Sequence, residues 1–345
     1  MNTKIILQVD GGGLLGVTPA RVLAELEKQL RAKTNNNLYL RDVFNLCCGT
    51  STGAIITGLV AAGVDAENIA NFYTKDGVAL FNNSKNNLLT RVFINPKFKR
   101  NDFLNVLDRV LTTSSPYKNA DITLGMLPKT QSLITTAYNL CSHKTHFIKS
   151  TDADDANIKL RDVIAWSALS AAFYFGKINV PDFSWNQLDN STPPKRTAMR
   201  GAVFQDGGQG TQNCTLDYAL TEILANNWGD NGEPIIILSL GTGSPTKNTS
   251  YENAKNISDF GQAMKYIAGQ ARDESTTIQE MAARYVQLKR PNIKLYRLDY
   301  EAKEDYGLDD TKHMSVYTQG ADSIIQSAEF TRLVSDLEAA IKQKN

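Results

Sequence analysis

The stretch Gly49-Thr50-Ser51-Thr52-Gly53 constrains the fold of this chain more than any other. An apolar run, Val43 to Cys48, leads into it, and a second, Ala54 to Ala62, follows it and stops at Gly63. The first run suits a buried strand and the second a helix, so the five residues read as a strand turning sharply into a helix. The pattern is G-x-S-x-G, the nucleophile elbow, whose small flanking residues let the backbone turn tightly and lift a serine hydroxyl off the end of a sheet. The helix that follows sets the positive end of its dipole beside any oxyanion formed there. A tight turn with no chemistry shares this signature, because Gly, Ser and Thr are common in turns. The rest of the chain has to decide.

A second glycine-rich strand end lies upstream. Lys4 to Val9 reads as a strand, Asp10-Gly11-Gly12-Gly13-Leu14-Leu15-Gly16 as its turn, and Pro19 to Arg31 as a helix with Val22, Leu23, Leu26 and Leu30 on one face. Such a turn exposes backbone N–H groups at a helix start and suits an anion. Gly11, Gly13 and Gly16 satisfy the dinucleotide pattern G-x-G-x-x-G, but the Asn-rich stretch 34–40 stands where a strand ending in an acidic residue is needed. An oxyanion hole facing Ser51 is the second reading, and a plain turn the third.

Further along, 66–73, 101–111, 160–172, 216–227 and 320–342 read as helices, and 257–288 as one long helical stretch. Strands are expected at 133–140, 145–149, 202–205, 234–240 and 293–298. Residues 82–87 read as an exposed loop, and the polar stretch 182–201, with Pro193-Pro194, as a long loop or lid. The run Phe93 to Arg100 mixes aromatic and basic residues in a way that suits lipid headgroups, although a solvated face beside a loop fits it better. Phe173-Tyr174-Phe175 suits either an acyl pocket or core. Strands alternating with helices, with no internal repeat and no long linker, argue for one α/β domain with a mostly parallel sheet.

Composition excludes several function classes. A net charge of +1, from 37 basic and 36 acidic residues, gives no global pull towards nucleic acid or an anionic membrane. Cys47 and Cys48 are adjacent on an expected buried strand, and with Cys141 and Cys214 they form no metal-ligand spacing. The acidic turn 152–155 lacks the carboxylate number and the glycine of a calcium loop. No metal is therefore expected. Ile5-Ile6-Leu7 is too short for a signal-peptide core, and no run reaches the ~18 apolar residues of a membrane span, so a cytoplasmic protein is expected.

Asp206 ends a third apolar strand and precedes Gly207-Gly208. Ligands gather at strand carboxyl ends in open α/β sheets. A hydroxyl, a carboxylate and free amides at three such ends make one hydrolytic site plausible.

These residues carry a family resemblance. Asp10-Gly11-Gly12-Gly13 with Gly16, then Gly49-Thr50-Ser51-Thr52-Gly53, then Asp206-Gly207-Gly208, in that order, resemble the motifs of patatin-like phospholipases. Ala165 to Phe175 and Ser239-Leu240-Gly241-Thr242-Gly243 resemble two further segments of that family. The resemblance implies a three-layer α/β/α sandwich, with residues 1–345 a single catalytic domain on which the C-terminal helices, about 320–342, pack. It implies Ser51 as nucleophile, Asp206 as its sole partner, and the amides of Gly11, Gly12 and Gly13 as oxyanion hole. Gly49, Gly53, Gly207 and Gly208 are then the turn glycines. The implied reaction is hydrolysis of a membrane phospholipid ester at the membrane surface, a chemistry for which no cofactor is expected. Leu15 stands where the family usually has a basic residue, Phe173 where it has proline, and Gln212-Asn213-Cys214 where it has Asn-Asn-Pro.

Rival readings stay open at this point. The order Ser51, Asp206, His313 mimics the α/β-hydrolase triad, although His313 lies in a polar loop and His143 and His146 beside a strand. A catalytically silent member would use the glycine turns to hold a phosphate. Single-domain bacterial members of the family include antiviral effectors switched on by cyclic nucleotides, and the layout here resembles theirs. A cyclic nucleotide activator and a homo-oligomer are thus candidate partners, with no motif that marks a nucleotide pocket.

Overall fold

The computed structural model describes residues 3–34, 37–86, 96–189, 191–209, 212–245, 251–265, 271–304 and 306–344. Side-chain alternation along Lys4–Val9 explains its layering. Ile5, Leu7 and Val9 enter one buried cluster, while Ile6 enters another on the opposite face. This strand, β1, leads through the glycine turn into α1 (Val17–Thr34), the single turn α2 (Leu40–Val43), β2 (Leu46–Thr50) and α3 (Thr52–Ala61). There follow α4 (Ala66–Asn71), α5 (Val78–Asn83), α6 (Arg100–Thr113), β3 (Ser132–Asn139), β4 (Lys144–Lys149) and α7 (Leu160–Ala168). Next come β5 (Ile178–Leu188), β6 (Arg196–Asp206), α8 (Leu216–Ala225), β7 (Ile235–Leu240) and β8 (Ser244–Pro245). The remaining elements are α9 (Tyr251–Ala254), α10 (Asp259–Lys265), α11 (Ala271–Lys289), β9 (Ile293–Leu298), β10 (Glu301–Ala302), α12 (Met314–Ile325) and α13 (Ala328–Lys344).

The main sheet has the order β5-β6-β3-β2-β1-β7-β9, with β4 on β3. Strands β3, β2, β1, β7 and β9 are mutually parallel. One face packs on α1, α3, α4, α6, α7, α12 and α13, the other on α8 and α11. The protein is thus a mixed α/β sandwich with helices on both faces of a mostly parallel sheet. Among the described residues, no helix is long and apolar enough to cross a membrane.

The register on β3 positions the site. Thr135 pairs with Ile148 of β4 and Gly49 of β2, and Ala137 with His146 of β4 and Asp206 of β6. Hence β2 and β6 share one edge of β3. They run towards each other and meet where Thr136 pairs with Thr50 and Ala137 with Asp206.

Several local readings are corrected. Val43 belongs to a helical turn, and β2 starts at Leu46. The stretch 182–201 is not a loop or lid but falls mostly in the antiparallel hairpin of β5 and β6. The helix read to Ala172 ends at Ala168, and the one read to Tyr73 passes at Phe72 into a π-helical turn ending at Gly77. Residues 93–95 of the expected headgroup surface, residue 87 of the expected loop and residues 266–270 of the long helical stretch lie outside the described residues. All four cysteines are free thiols, with Cys47, Cys48 and Cys214 buried.

Candidate active site

Ser51 lies between the last residue of β2 and the first of α3 with φ 55° and ψ −123°, a left-handed backbone that costs an L side chain about 1–2 kcal/mol. The surroundings impose it. Its N–H donates to Ser167 Oγ at 3.0 Å, and its carbonyl accepts from Ala54 and Ile55 as α3 begins. A Cβ on Gly53 would come within 2.1 Å of the Val9 carbonyl, so only glycine lets α3 start this close to β1. Gly49 packs against Gly53, and Thr50 Oγ1 lies 2.6 Å from Thr136 Oγ1, tying β2 to β3.

Ser51 Oγ donates to Asp206 Oδ2 at 2.7 Å. Asp206 is buried, and its Oδ1 accepts the Gly208 N–H at 2.8 Å. Gly207 packs on Thr136. The two side chains that the sequence placed 155 residues apart are therefore in contact because β2 and β6 meet end to end.

The first glycine turn is held against this pair. Gly11 lies beside Ser51, and a Cβ on it would sit 3.2 Å from Ser51 Cβ. Its N–H, however, donates to the Asn213 carbonyl at 3.0 Å, and its carbonyl accepts from Thr242 Oγ1 at 2.9 Å. The Gly11 amide is thus occupied, against the expectation that it serves an oxyanion. Leu14 N–H is likewise taken by the Leu308 carbonyl at 2.7 Å. Among the described residues, the N–H groups of Gly12 and Gly13 have no protein partner. At Gly12 a Cβ would lie 2.4 Å from Thr242 Oγ1, and Gly13 adopts φ 57°.

Beneath the turn, Asp10 is pinned from both sides: Gln8 Nε2 donates to its Oδ1 at 2.8 Å and Arg297 Nη2 to its Oδ2 at 2.7 Å. Arg297 is buried, and also contacts Ser239 and the carboxylates of Glu280 and Asp299. Burial opposes its charge, but Asp10 and Asp299 outweigh that and hold its pKa above the ordinary arginine value.

A narrow apolar cavity of about 40 Å³ opens at Ser51, lined among others by Gly13, Ile55, Tyr73, Phe81, Phe103 and Phe175. Tyr73 OH lies 2.5 Å from Thr52 Oγ1, and burial pushes its phenol pKa up. Phe175 lines the pocket, whereas Phe173 stands 87% exposed.

The histidines lie elsewhere. His313 Nδ1 is 2.6 Å from Asp310 Oδ2 on its own turn, and its ring leans on Tyr306. His146 sits on β4 against Phe183 and Phe204, where burial pushes its imidazole down to about 4 and keeps it neutral. His143 is exposed in the β3–β4 turn. Among the described residues, no group of three His, Cys, Asp or Glu side chains could hold a metal.

Asn213, Ser167, Thr242 and Arg297 had not been singled out as site residues. Ser167 and Thr242 lie inside the two weaker resembling segments, which was a usable signal. Arg297, one of two basic residues with Lys294 on a six-residue strand, gave little.

A serine hydroxyl on a strained strand–helix turn, hydrogen-bonded to a buried carboxylate at the mouth of an apolar slot, is a geometry suited to acyl transfer. A family model for patatin-like phospholipases matches residues 7–220. The chain belongs to the patatin-like phospholipase family, and is a lipid acyl hydrolase. It is 25% identical over 287 residues to Patatin group A-2 of Solanum tuberosum, covering 79% of this chain and 69% of that one. With Patatin-2-Kuras 3 of Solanum tuberosum it shares 26% identity over 267 residues, 74% of this chain and 64% of the relative. The crystal structure of VipD from Legionella pneumophila superposes with a TM-score of 0.41 and 13% identity, over 94% of this chain and 67% of that one.

Proposed function

We propose that this chain hydrolyses acyl esters of membrane phospholipids with a Ser51–Asp206 dyad and no histidine. The observation that carries this reading is the 2.7 Å hydrogen bond from Ser51 Oγ to Asp206 Oδ2 at the mouth of the apolar slot. Asp206 takes the Ser51 proton as Oγ attacks the ester carbonyl. The oxyanion is received by the N–H groups of Gly12 and Gly13, assisted by the amino-terminal dipole of α3. Asp206 returns the proton to the departing lysophospholipid oxygen, leaving an acyl ester on Ser51. Water, deprotonated by Asp206, then releases the fatty acid. A carboxylate is a weak base for a hydroxyl, so direct contact and strong oxyanion donors are what the reaction needs.

We take residues 1–345 as one catalytic domain. Supporting this, α12 packs on α1 through the Thr18 hydroxyl donating to the Tyr317 carbonyl at 2.9 Å and an Arg21–Asp322 ion pair at 2.9 Å. The reading includes restraint by a bound effector, with a cyclic nucleotide as candidate, because a slot of about 40 Å³ holds only a few water-sized positions and must widen for a long acyl chain.

The test is hydrolysis of defined liposomes, read by mass spectrometry, with fluorophosphonate labelling of Ser51. Wild type is expected to release fatty acid, and Ser51→Ala and Asp206→Ala to release none. Failure of Ser51 to label in folded protein under every activating condition favours the silent binder. Equal rates with and without cyclic di- and trinucleotides remove that activator.

A further inference from the structure

The loop 169–177 leaves the site in an unusual way. Phe173 adopts φ 65°, a conformation that bulky L residues avoid and that proline cannot take. Its ring is 87% exposed, although its neighbours are packed: Tyr174 stacks on Phe98, and Phe175 meets Phe98 and Phe103. The strain is not the accident of a loose loop. Arg100 donates to the carbonyls of Leu169, Phe175, Gly176 and Lys177 at 2.7–3.0 Å. The Lys97 N–H donates to the Phe173 carbonyl at 2.9 Å, and the Ala172 N–H to Gln209 Oε1 at 2.6 Å. An exposed aromatic held rigidly in a costly conformation points to a partner outside the chain.

Its position and charge say which. Ala168, Leu169 and Phe175 line the slot beside Ser51, so the loop that carries Phe173 borders that opening. Lys177 on the same loop is exposed, and so are Lys85 and Lys99 on the two segments bridged to one another alongside it. Two carboxylates that touch these segments are engaged: Asp309 pairs with Lys97, and Asp102 accepts from Ser84. One aromatic with a lysine rim is too small for the ~800 Å² per partner of a stable protein interface. It matches a bilayer, where an apolar wedge enters the acyl boundary and lysines meet anionic headgroups.

We propose that Phe173 is the inserting wedge of a docking surface that seats the mouth of the Ser51 slot on an anionic phospholipid bilayer, with Lys85, Lys99 and Lys177 as its headgroup contacts. This rests on the lipid reading above. Binding is measured by sedimentation in a Ser51→Ala background, so that vesicles stay intact, on phosphatidylcholine vesicles with or without added phosphatidylglycerol. Phe173→Gly is expected to bind anionic vesicles about tenfold more weakly, with an unchanged or higher melting temperature, and Phe173→Trp to bind like the parent. Lys99→Glu with Lys177→Glu is expected to weaken binding by about tenfold or more on anionic vesicles and little on neutral ones. Equal binding by the parent and Phe173→Gly overturns the proposal, as does a Phe173→Trp variant no better than Phe173→Gly. Self-association of the parent that Phe173→Gly abolishes also overturns it, in favour of a second copy. If Ser51→Ala still hydrolyses phospholipid, the dyad falls while this binding result stands.

Discussion

Ser51 and Phe173 both hold a non-glycine backbone in the left-handed region, at φ 55° and φ 65°, yet the molecule sustains them by different means. Around Ser51 the sheet does it: β2 ends against β6, α3 is pressed onto β1, and Ser167 Oγ holds the N–H. Around Phe173 local polar contacts do it: the Arg100 guanidinium gathers four carbonyls of the loop, the Lys97 N–H holds the Phe173 carbonyl, and Gln209 Oε1 holds the Ala172 N–H. Strain persists only where neighbours over-determine it. In the first case the restraint is spread through the core, and in the second it comes from a few polar contacts at the surface, four of them made by one residue. On the readings proposed here, each strained residue presents its side chain to a ligand.

The sharpest test of this pairing is Ser51→Gly. It should remove hydrolysis by at least about a thousandfold in a liposome assay, while thermal unfolding shows a gain of about 1 kcal/mol from released strain. A loss of stability instead would break the comparison. Gly12→Ala forces a Cβ to within 2.4 Å of Thr242 Oγ1 and displaces the N–H proposed to receive the oxyanion, so kcat should fall about a hundredfold. Arg100→Met should destabilise by about 2–3 kcal/mol in urea titrations, because it leaves several carbonyls unpaired at once. Little change would mean that the loop holds itself. Phe173→Gly should stabilise by about 1 kcal/mol, matching Ser51→Gly in stability but leaving Ser51 and Asp206 untouched. The smallest expected effect is that of His313→Ala, whose ring is engaged with Asp310. Ester turnover should stay within about twofold, since an exposed local pair contributes little.

The parallel strands were legible because β1, β7 and β9 are short, bounded runs, largely apolar in β1 and β7, with helical patterns between them. The turn at Ser51 was legible because Gly49 and Gly53 are demanded by close approach, and composition records that demand directly. The β5–β6 hairpin was not. Its alternation is short, limited to Phe183 and Trp185 on β5 and to Ala202, Phe204 and Asp206 on β6, the outer ends are exposed, and Pro193-Pro194 in its connection mimicked a lid. Nor was the fate of the Gly11 amide legible, since its capture by Asn213 depends on how a distant loop closes over the turn. The same holds for Arg100, which looked like the end of a basic run and proves to be a carbonyl clamp.

Strand β3 works as a measuring rule for the pair of side chains above it. Thr50 and Asp206 are assigned to consecutive notches, Thr136 and Ala137, and each notch is ~3.3 Å long. The gap between hydroxyl and carboxylate is set by counting, not by side-chain adjustment. Sliding β6 by one notch would turn Asp206 to the opposite side of the sheet. Lengthening β3 at this point would pull the partners apart with every other residue unchanged. Sequence drift around the site is cheap by comparison with a single insertion in this strand.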